Sequence, residues 1–216
     1  MNQVVKDKMQ REIMVIHNKF IFWESEKESK FYDGLTFDFE KHILENYEYM
    51  VRWLAEVNFE YKQPIWYWIV INDKDEVFVY KRWWAWSNAW ESRLHNKIAI
   101  WVGWHIEKED KDLTNPISDS LVREIEEELN VKPEDVKSVE AIWYINNETD
   151  EVSKVHIWIA YIVRVHNSNI ELLDWELDNW EFVSISELES MISSWEYDVE
   201  AWSKIVFEAV KRYLKQ

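Results

Sequence analysis

The chain contains no cysteine. Disulfides and thiolate zinc sites are thereby excluded. No apolar run approaches the roughly 18 residues of a membrane span. The segment MNQVVKDKMQREIMVIHNK has neither the apolar stretch nor the small-residue cleavage site of a signal peptide. The expected setting is cytoplasmic. Basic residues are also scarce: 25 Lys and Arg stand against 42 Asp and Glu, a net charge of -17. Such a balance opposes nucleic acid and anionic membranes as partners, since both need basic surface. A small phosphate-bearing substrate remains compatible if a divalent cation screens the acids.

Glycine is the sharpest deficit. Average usage of about 7% would give roughly 15 residues in a chain of this size. There are 2 among 216 residues, beside 16 tryptophans. Together the two types number 18, an ordinary glycine content. Position points the same way. YKRWWAWSNAWESRLHNK, residues 80–97, sets four tryptophans within eight positions of a loop-like stretch of Ser, Asn and Ala. LLDWELDNWEF puts Trp175 after Asp and Trp180 after Asn, and ISSWEYD gives Trp195 a similar setting. Asp-Gly and Asn-Gly are strong turn dipeptides because glycine supplies positive φ without steric cost. We therefore expect many of these tryptophans to stand for glycines. Some bacterial lineages read the codon UGA as glycine where another code reads tryptophan, and translation with the wrong code produces this exchange. Trp202 lies within a helical pattern where glycine would destabilise, so it reads as genuine. The alternative is a Trp-rich chain offering aromatic platforms to a carbohydrate or peptide. It leaves the glycine deficit unexplained.

The length suits one domain with an extension. We place the extension at residues 1–62 and the main domain at 63–216. Within the extension, FDFEKHILENYEYMVRWLAEV (38–57) has apolar residues at near-helical spacing. Pro64 marks entry to the main domain. IWYWIVINDKDEVFVYKR predicts two strands around the turn NDKD, and KIAIWVGWHI another strand. NPISDSLVREIEEELNV predicts a helix, with Asn115 as cap, Pro116 in the first turn and Asn130 left-handed at its end. VKSVEAIWYI and KVHIWIAYIVRV are long strand patterns. SISELESMI and DVEAWSKIVFEAVKRYL are helical, with Trp202, Val206, Phe207, Val210 and Tyr213 as the core stripe of the last helix. The fold class is α+β: a mixed sheet with helices packed on it. There is no internal repeat.

Chemistry concentrates in VREIEEELNV, residues 122–131. On a helix, Glu124, Glu127 and Glu128 occupy i, i+3 and i+4, so their carboxylates share a face. Leu121, Ile125 and Leu129 are left to pack on a sheet. Close carboxylates repel unless a cation lies between them, and hard oxygen ligands suit Mg²⁺. An acidic helix face alone is more often merely solvated. Upstream, IWVGWHIEKED is a strand running into a turn before this helix.

At these residues the chain resembles the Nudix hydrolase family. Its signature is Gly, five residues, Glu, seven residues, then Arg-Glu-apolar-any-Glu-Glu-any-Gly-apolar. The second half matches at Arg123, Glu124, Ile125, Glu127, Glu128 and Val131, with Asn130 in place of glycine. The first half departs. Trp104 occupies the glycine position beside Gly103, Asp110 stands where the first Glu belongs, and a five-residue insertion precedes Arg123. With glycine read for Trp, SNAWESRLHNKIAIWVGWHI and YINNETDEVSKVHIWIAYIV resemble a bacterial Nudix group described as predicted phosphoesterases. RWWAWSNAWESR then looks like a glycine-rich substrate loop.

The resemblance implies a Nudix-type α/β/α sandwich. It also implies Mg²⁺-dependent hydrolysis (Mn²⁺ being the other candidate) of a nucleoside diphosphate linked to another moiety, by a metal-activated water attacking phosphorus. It implies Glu127 and Glu128 as metal ligands and Glu124 as ligand or water-orienting base. Arg123 would hold the glutamates, the ordinary reading being a surface ion pair. The backbone carbonyl of Gly103 or position 104 would complete the metal shell. Glu148 is the candidate base outside the signature, Glu181 the second choice; an ordinary exposed acid is the bland reading of each. Arg93 and Lys97 are candidates to receive substrate phosphate, or else solubilising flanks. His95, His105 and His156 lack short zinc-ligand spacing and are expected to be structural or substrate-facing. The competing class is a non-catalytic Nudix-fold module that binds a nucleotide or metabolite; the intact Arg-Glu-x-x-Glu-Glu run favours the enzyme. A homodimer through the N-terminal extension is left open.

Overall fold

A computed structural model describes residues 3–22, 30–33, 38–82, 97–108, 115–149, 151–166, 170 and 177–215. The elements run α1 (Gln3–Gln10), β1 (Glu12–His17), β2 (Lys30–Asp33), α2 (Phe39–Asn46), β3 (Tyr47–Val51), α3 (Arg52–Ala55), β4 (Tyr61–Ile71) and β5 (Val77–Arg82). They continue with β6 (Ile98–Ala99), β7 (Val102–His105), α4 (Pro116–Leu129), β8 (Val136–Asn146), β9 (His156–Val165), β10 (Leu177–Val183), α5 (Ile185–Ser193) and α6 (Ala201–Tyr213). The α+β class is as the sequence implied. Two compact units divide the chain: one takes 1–67, 103–121 and 141–160, the other 68–102, 122–140 and 161–216. The long elements β4, α4, β8 and β9 contribute to both.

In the first unit, β1 pairs antiparallel with β3 from Glu12↔Val51 to Ile16↔Tyr47, and with β4 at Ile16↔Lys62. β2 pairs antiparallel with β8. Ile13, Val15 and Ala55 form a buried cluster against Met50 and Tyr61. One expectation fails here. The helical spacing of 38–57 is interrupted: Phe39–Asn46 and Arg52–Ala55 are helical, but residues 47–51 between them are strand. Tyr47, Tyr49 and Val51 are β-prone types, and pairing with β1 outweighs a helix propensity worth only tenths of a kcal/mol per residue (roughly 0.5).

In the second unit, β5 pairs antiparallel with β10 and with β6. The predicted hairpin between β4 and β5 forms around Asn72–Glu76. Asn72 Oδ1 accepts from the N–H groups of Lys74 and Glu76 at 2.9 and 3.0 Å, and Asp75 takes a left-handed φ of 59°. KIAIWVGWHI is split into β6 and β7. Tyr80 donates its hydroxyl hydrogen to the Trp101 carbonyl (2.7 Å), and the Ile100 N–H donates to Ser203 Oγ (3.2 Å). Val206, Phe207 and Val210 are buried, as the core stripe of α6 required; the Trp202 side chain lies outside the described residues. β9 lies between β4 and β8 in the strand order. β4 and β9 are buried along nearly their whole length, which fits their unbroken apolar runs. Among the described residues, no helix is long and apolar enough to cross a membrane.

Trp180 falls inside β10 and Trp104 inside β7, and neither has left-handed backbone. Positive φ is thus no reason for glycine at these two positions. Trp180 stacks at a tilt on Phe78, with ring centroids 5.8 Å apart. Residues 83–96 and Trp175 lie outside the described residues.

Candidate functional site

Helix α4 begins and ends where its punctuation requires. Asn115 Oδ1 accepts from the N–H groups of Ile117 (3.0 Å) and Ser118 (3.1 Å), two of the donors a helix start leaves unpaired. Pro116 opens the first turn. Asn130 closes the helix with φ 52°, a backbone that asparagine tolerates better than other side chains do. Ile117, Leu121, Ile125 and Leu129 recur every fourth residue and are fully buried. Each such burial contributes about 1.5–3 kcal/mol, which fixes the rotation of the helix. Glu124 and Glu127 are thereby held on a less buried face, their side chains 20% and 57% exposed.

Arg123 ties these acids together. Its Nη2 lies 2.8 Å from Glu124 Oε1, and its Nη1 donates to Glu127 Oε2 at 3.0 Å. Exposed pairs of this kind are worth only about 0–1 kcal/mol, so the contact positions carboxylates more than it stabilises the chain. The Glu128 side chain lies outside the described residues, although its backbone belongs to α4.

Gly103 sits in β7. A Cβ there would stand 2.6 Å from the Trp66 carbonyl oxygen and 2.2 Å from the Tyr67 ring. The strand can approach so closely only without a side chain. At Trp104, Lys8 Nζ lies over the ring, 4.8 Å from its centroid.

Next along β7, His105 Nε2 is 2.9 Å from Gln63 Oε1 and 3.4 Å from His156 Nε2. Glu56 completes a group whose ligand-type atoms all lie within 4.8 Å of one another. His156 donates from Nδ1 to the Val152 carbonyl at 2.7 Å, which leaves its proton on Nδ1. Burial holds His105 well below the usual imidazole range, assisted by Arg52 and His156. Burial also lowers His156, with Arg52 and Lys62 adding to that effect, while Glu56 and the Val152 carbonyl oppose it. Both rings are therefore neutral at pH 7.

Glu148 accepts a hydrogen bond from Lys62 Nζ at 2.6 Å and another from Asn146 Nδ2 at 3.0 Å. Lys62 is fully buried, so Glu148 is the counter-charge of an interior ammonium as well as a candidate base. Lys97 is 3.7 Å from Asp198. Glu181 is an exposed residue of β10. Arg93, His95 and Asp110 lie outside the described residues. The structure brings Arg123, Glu124 and Glu127 together. Glu56, Gln63 and Lys62 do not stand out in the sequence; Lys62 and Gln63 leave one signal, two polar residues at the start of an otherwise apolar strand.

No family model matches the chain. It is 31% identical over 168 residues to Protein YmaB of Bacillus subtilis (strain 168), spanning 76% of this chain and 79% of that protein. Its fold is similar to that of Tm1382, a candidate Nudix hydrolase: TM-score 0.73, 24% identity, 94% of this chain and 99% of that one. The NUDIX domain of Shewanella oneidensis NrtR, solved with ADP ribose, aligns over 71% of this chain and 88% of that one at TM-score 0.51 and 10% identity. A NUDIX hydrolase from Alicyclobacillus acidocaldarius aligns over 69% and 90% at TM-score 0.51 and 13% identity.

Proposed function

The chain belongs to the family of Protein YmaB and has the Nudix fold, and on that premise we propose that it hydrolyses a nucleoside diphosphate linked to another moiety, using a divalent cation. The observation that carries this reading is the pair of carboxylates, Glu124 and Glu127, gripped by the one guanidinium of Arg123 on α4.

The donor set fits a hard cation. Glu124, Glu127 and Glu128 would hold Mg²⁺ or Mn²⁺. A bound cation supplies charge neutralisation and polarisation at the phosphate oxygens. Arg123 keeps two carboxylates converging rather than splayed. Glu148, which accepts from Lys62 Nζ, is the candidate base outside the helix. Arg93 and Lys97 supply positive charge for the substrate phosphates in an otherwise acidic protein. Residues 63–216 form the hydrolase domain in this reading, and 1–62 an extension of it. That the NrtR domain was solved with ADP ribose, itself a nucleoside diphosphate joined to a second group, supports this substrate class.

The recoding belongs to the same proposal. Glycines at 83, 84, 86 and 90 would make a loop able to wrap phosphates closely. Buried tryptophans usually give their N–H a partner. The indole nitrogens of Trp66 and Trp68 are buried and have none. This supports tryptophan being foreign to some of its positions.

The test is a panel of nucleotide sugars, dinucleoside polyphosphates, oxidised nucleotides and coenzymes, assayed with Mg²⁺ on protein made with each genetic code. Release of a nucleoside monophosphate from at least one member is expected, abolished by chelator. Tight binding without turnover would move the reading to a nucleotide-binding module.

A further inference from the structure

We propose that Glu56, His105 and His156, with the amide oxygen of Gln63, form a separate structural site for a zinc-class cation. The inference does not depend on the hydrolase reading.

The four residues come from four places in the first unit. Glu56 follows α3, Gln63 lies on β4, His105 ends β7 and His156 opens β9. The two imidazole nitrogens have the spacing of a coordination shell, and the ligand atom of Glu56 lies within 4.8 Å of both. Tetrahedral zinc, with Zn–N bonds of about 2.0–2.1 Å, separates two ligand nitrogens by about 3.3–3.4 Å. The two Nε2 atoms stand 3.4 Å apart. That separation is long for a hydrogen bond between ring nitrogens, which is typically about 2.9–3.0 Å.

The surroundings fix the chemistry of the donors. The Val152 carbonyl takes the Nδ1 proton of His156, so the lone pair of that ring is on Nε2 and directed at the group. Two cations face the two rings, Arg52 and Lys62. Each already has a carboxylate: Arg52 Nε donates to Glu56 Oε1 at 3.2 Å, and Lys62 is on Glu148. A carboxylate has two oxygens, so Glu56 can keep Arg52 on one and offer the other. Gln63 is fully buried and its amide oxygen accepts from His105 Nε2 at 2.9 Å; with that proton moved to Nδ1 of His105, both atoms would be free to bind and the oxygen supplies a fourth donor. With four protein ligands the shell is closed, the form taken by structural sites rather than catalytic ones. Such a cation would join segments 49 and 51 positions apart in sequence, counted from Glu56 to His105 and from His105 to His156.

The experiment uses the full chain, stripped with chelator, dialysed and titrated with Co²⁺ and then Zn²⁺. Wild type is expected to bind one equivalent of Co²⁺ with the intense visible absorption of a four-coordinate site. Zn²⁺ should displace it and raise the melting temperature. Glu127→Gln should keep that spectrum, while His156→Gln and Glu56→Gln should weaken binding about tenfold or more. Equal affinity in wild type and His156→Gln, or a spectrum lost in Glu127→Gln alone, would overturn the proposal. If the histidine variant fails to fold, long-range ¹H–¹⁵N spectra of the wild type decide. Zn²⁺ should move the Nε2 resonances of two histidines together, and unmoved resonances would end the idea.

Discussion

Lys62 Nζ lies 2.6 Å from Glu148 Oε1, and the lysine is fully buried while the glutamate side chain is 21% exposed. The relationship gives Glu148 a structural duty that its loop setting in INNETDEV does not suggest. Removing the acid would strand an ammonium in the interior. Glu148→Gln is therefore expected to cost on the order of 3 kcal/mol, and the double variant Lys62→Met with Glu148→Met to recover most of it. Urea denaturation measures both. A wild-type midpoint for Glu148→Gln would show that the pair is not needed by the fold.

Glu127→Gln separates chemistry from stability in the opposite sense. The residue is exposed, so unfolding free energy should change by no more than about 0.5 kcal/mol. Turnover at limiting Mg²⁺ should fall about 100-fold or more, the scale on which loss of one electrostatic stabiliser shows. Circular dichroism and steady-state kinetics on one preparation suffice. Near-wild-type turnover would remove α4 from the active site.

At Gly103 the smallest substitution should be felt. An added methyl group meets the Trp66 carbonyl oxygen at 2.6 Å, and a strand backbone yields less readily than a side chain. Gly103→Ala should cost about 1–3 kcal/mol, the usual range for overpacking. A thermal melt unchanged from wild type would mean that β7 shifts freely.

The two neutral histidines make the metal-free chain acid-sensitive. Their folded pKa values lie below the ordinary imidazole value of 6.5. The stability they carry is present above about pH 6.5 and is lost as pH falls below it, because the unfolded chain takes up protons that the folded one refuses. Melting temperatures in chelator should drop between pH 7 and pH 5. His156→Gln should flatten that drop relative to wild type, with Glu56, Arg52 and Lys62 unchanged around it. Parallel pH profiles for the two proteins would contradict this.

Two synthetic genes test the recoding. One encodes the chain as written, the other glycine at 83, 84, 86, 90, 104, 175 and 180. The glycine version should be more soluble and more active, and native protein should be lighter by one fixed step for each exchange. Equal solubility, melting temperature and phosphohydrolase activity, or a native mass matching the written sequence, would establish the tryptophans as native.

What could be seen in advance followed from short-range physics. Asn115, Pro116 and Asn130 bracket α4 because capping and left-handed closure are decided within a few residues. Ile117, Leu121, Ile125 and Leu129 fixed the helix face, and with it the meeting of Arg123, Glu124 and Glu127. The group Glu56, Gln63, His105 and His156 was invisible for the converse reason. No two of its donors are close enough in sequence to form a spacing pattern, and only strand pairing brings them together. Gly103 was legible as a glycine but not for its neighbour, since the Trp66 carbonyl that demands it belongs to another strand.

The passage from α2 to β3 occurs at Tyr47 with no intervening loop. The apolar period that makes residues 39–46 helical continues through 47–57, so local preference and tertiary pairing disagree over the same stretch. Residues 47–51 hold an extended form through the ladder from Glu12 to Ile16. β3 pairs only with β1 among the described strands, so its extended form rests on that ladder. The N-terminal strand thus fixes where α2 gives way to extended backbone, and a chain lacking residues 12–16 is expected to lose β3 along with β1.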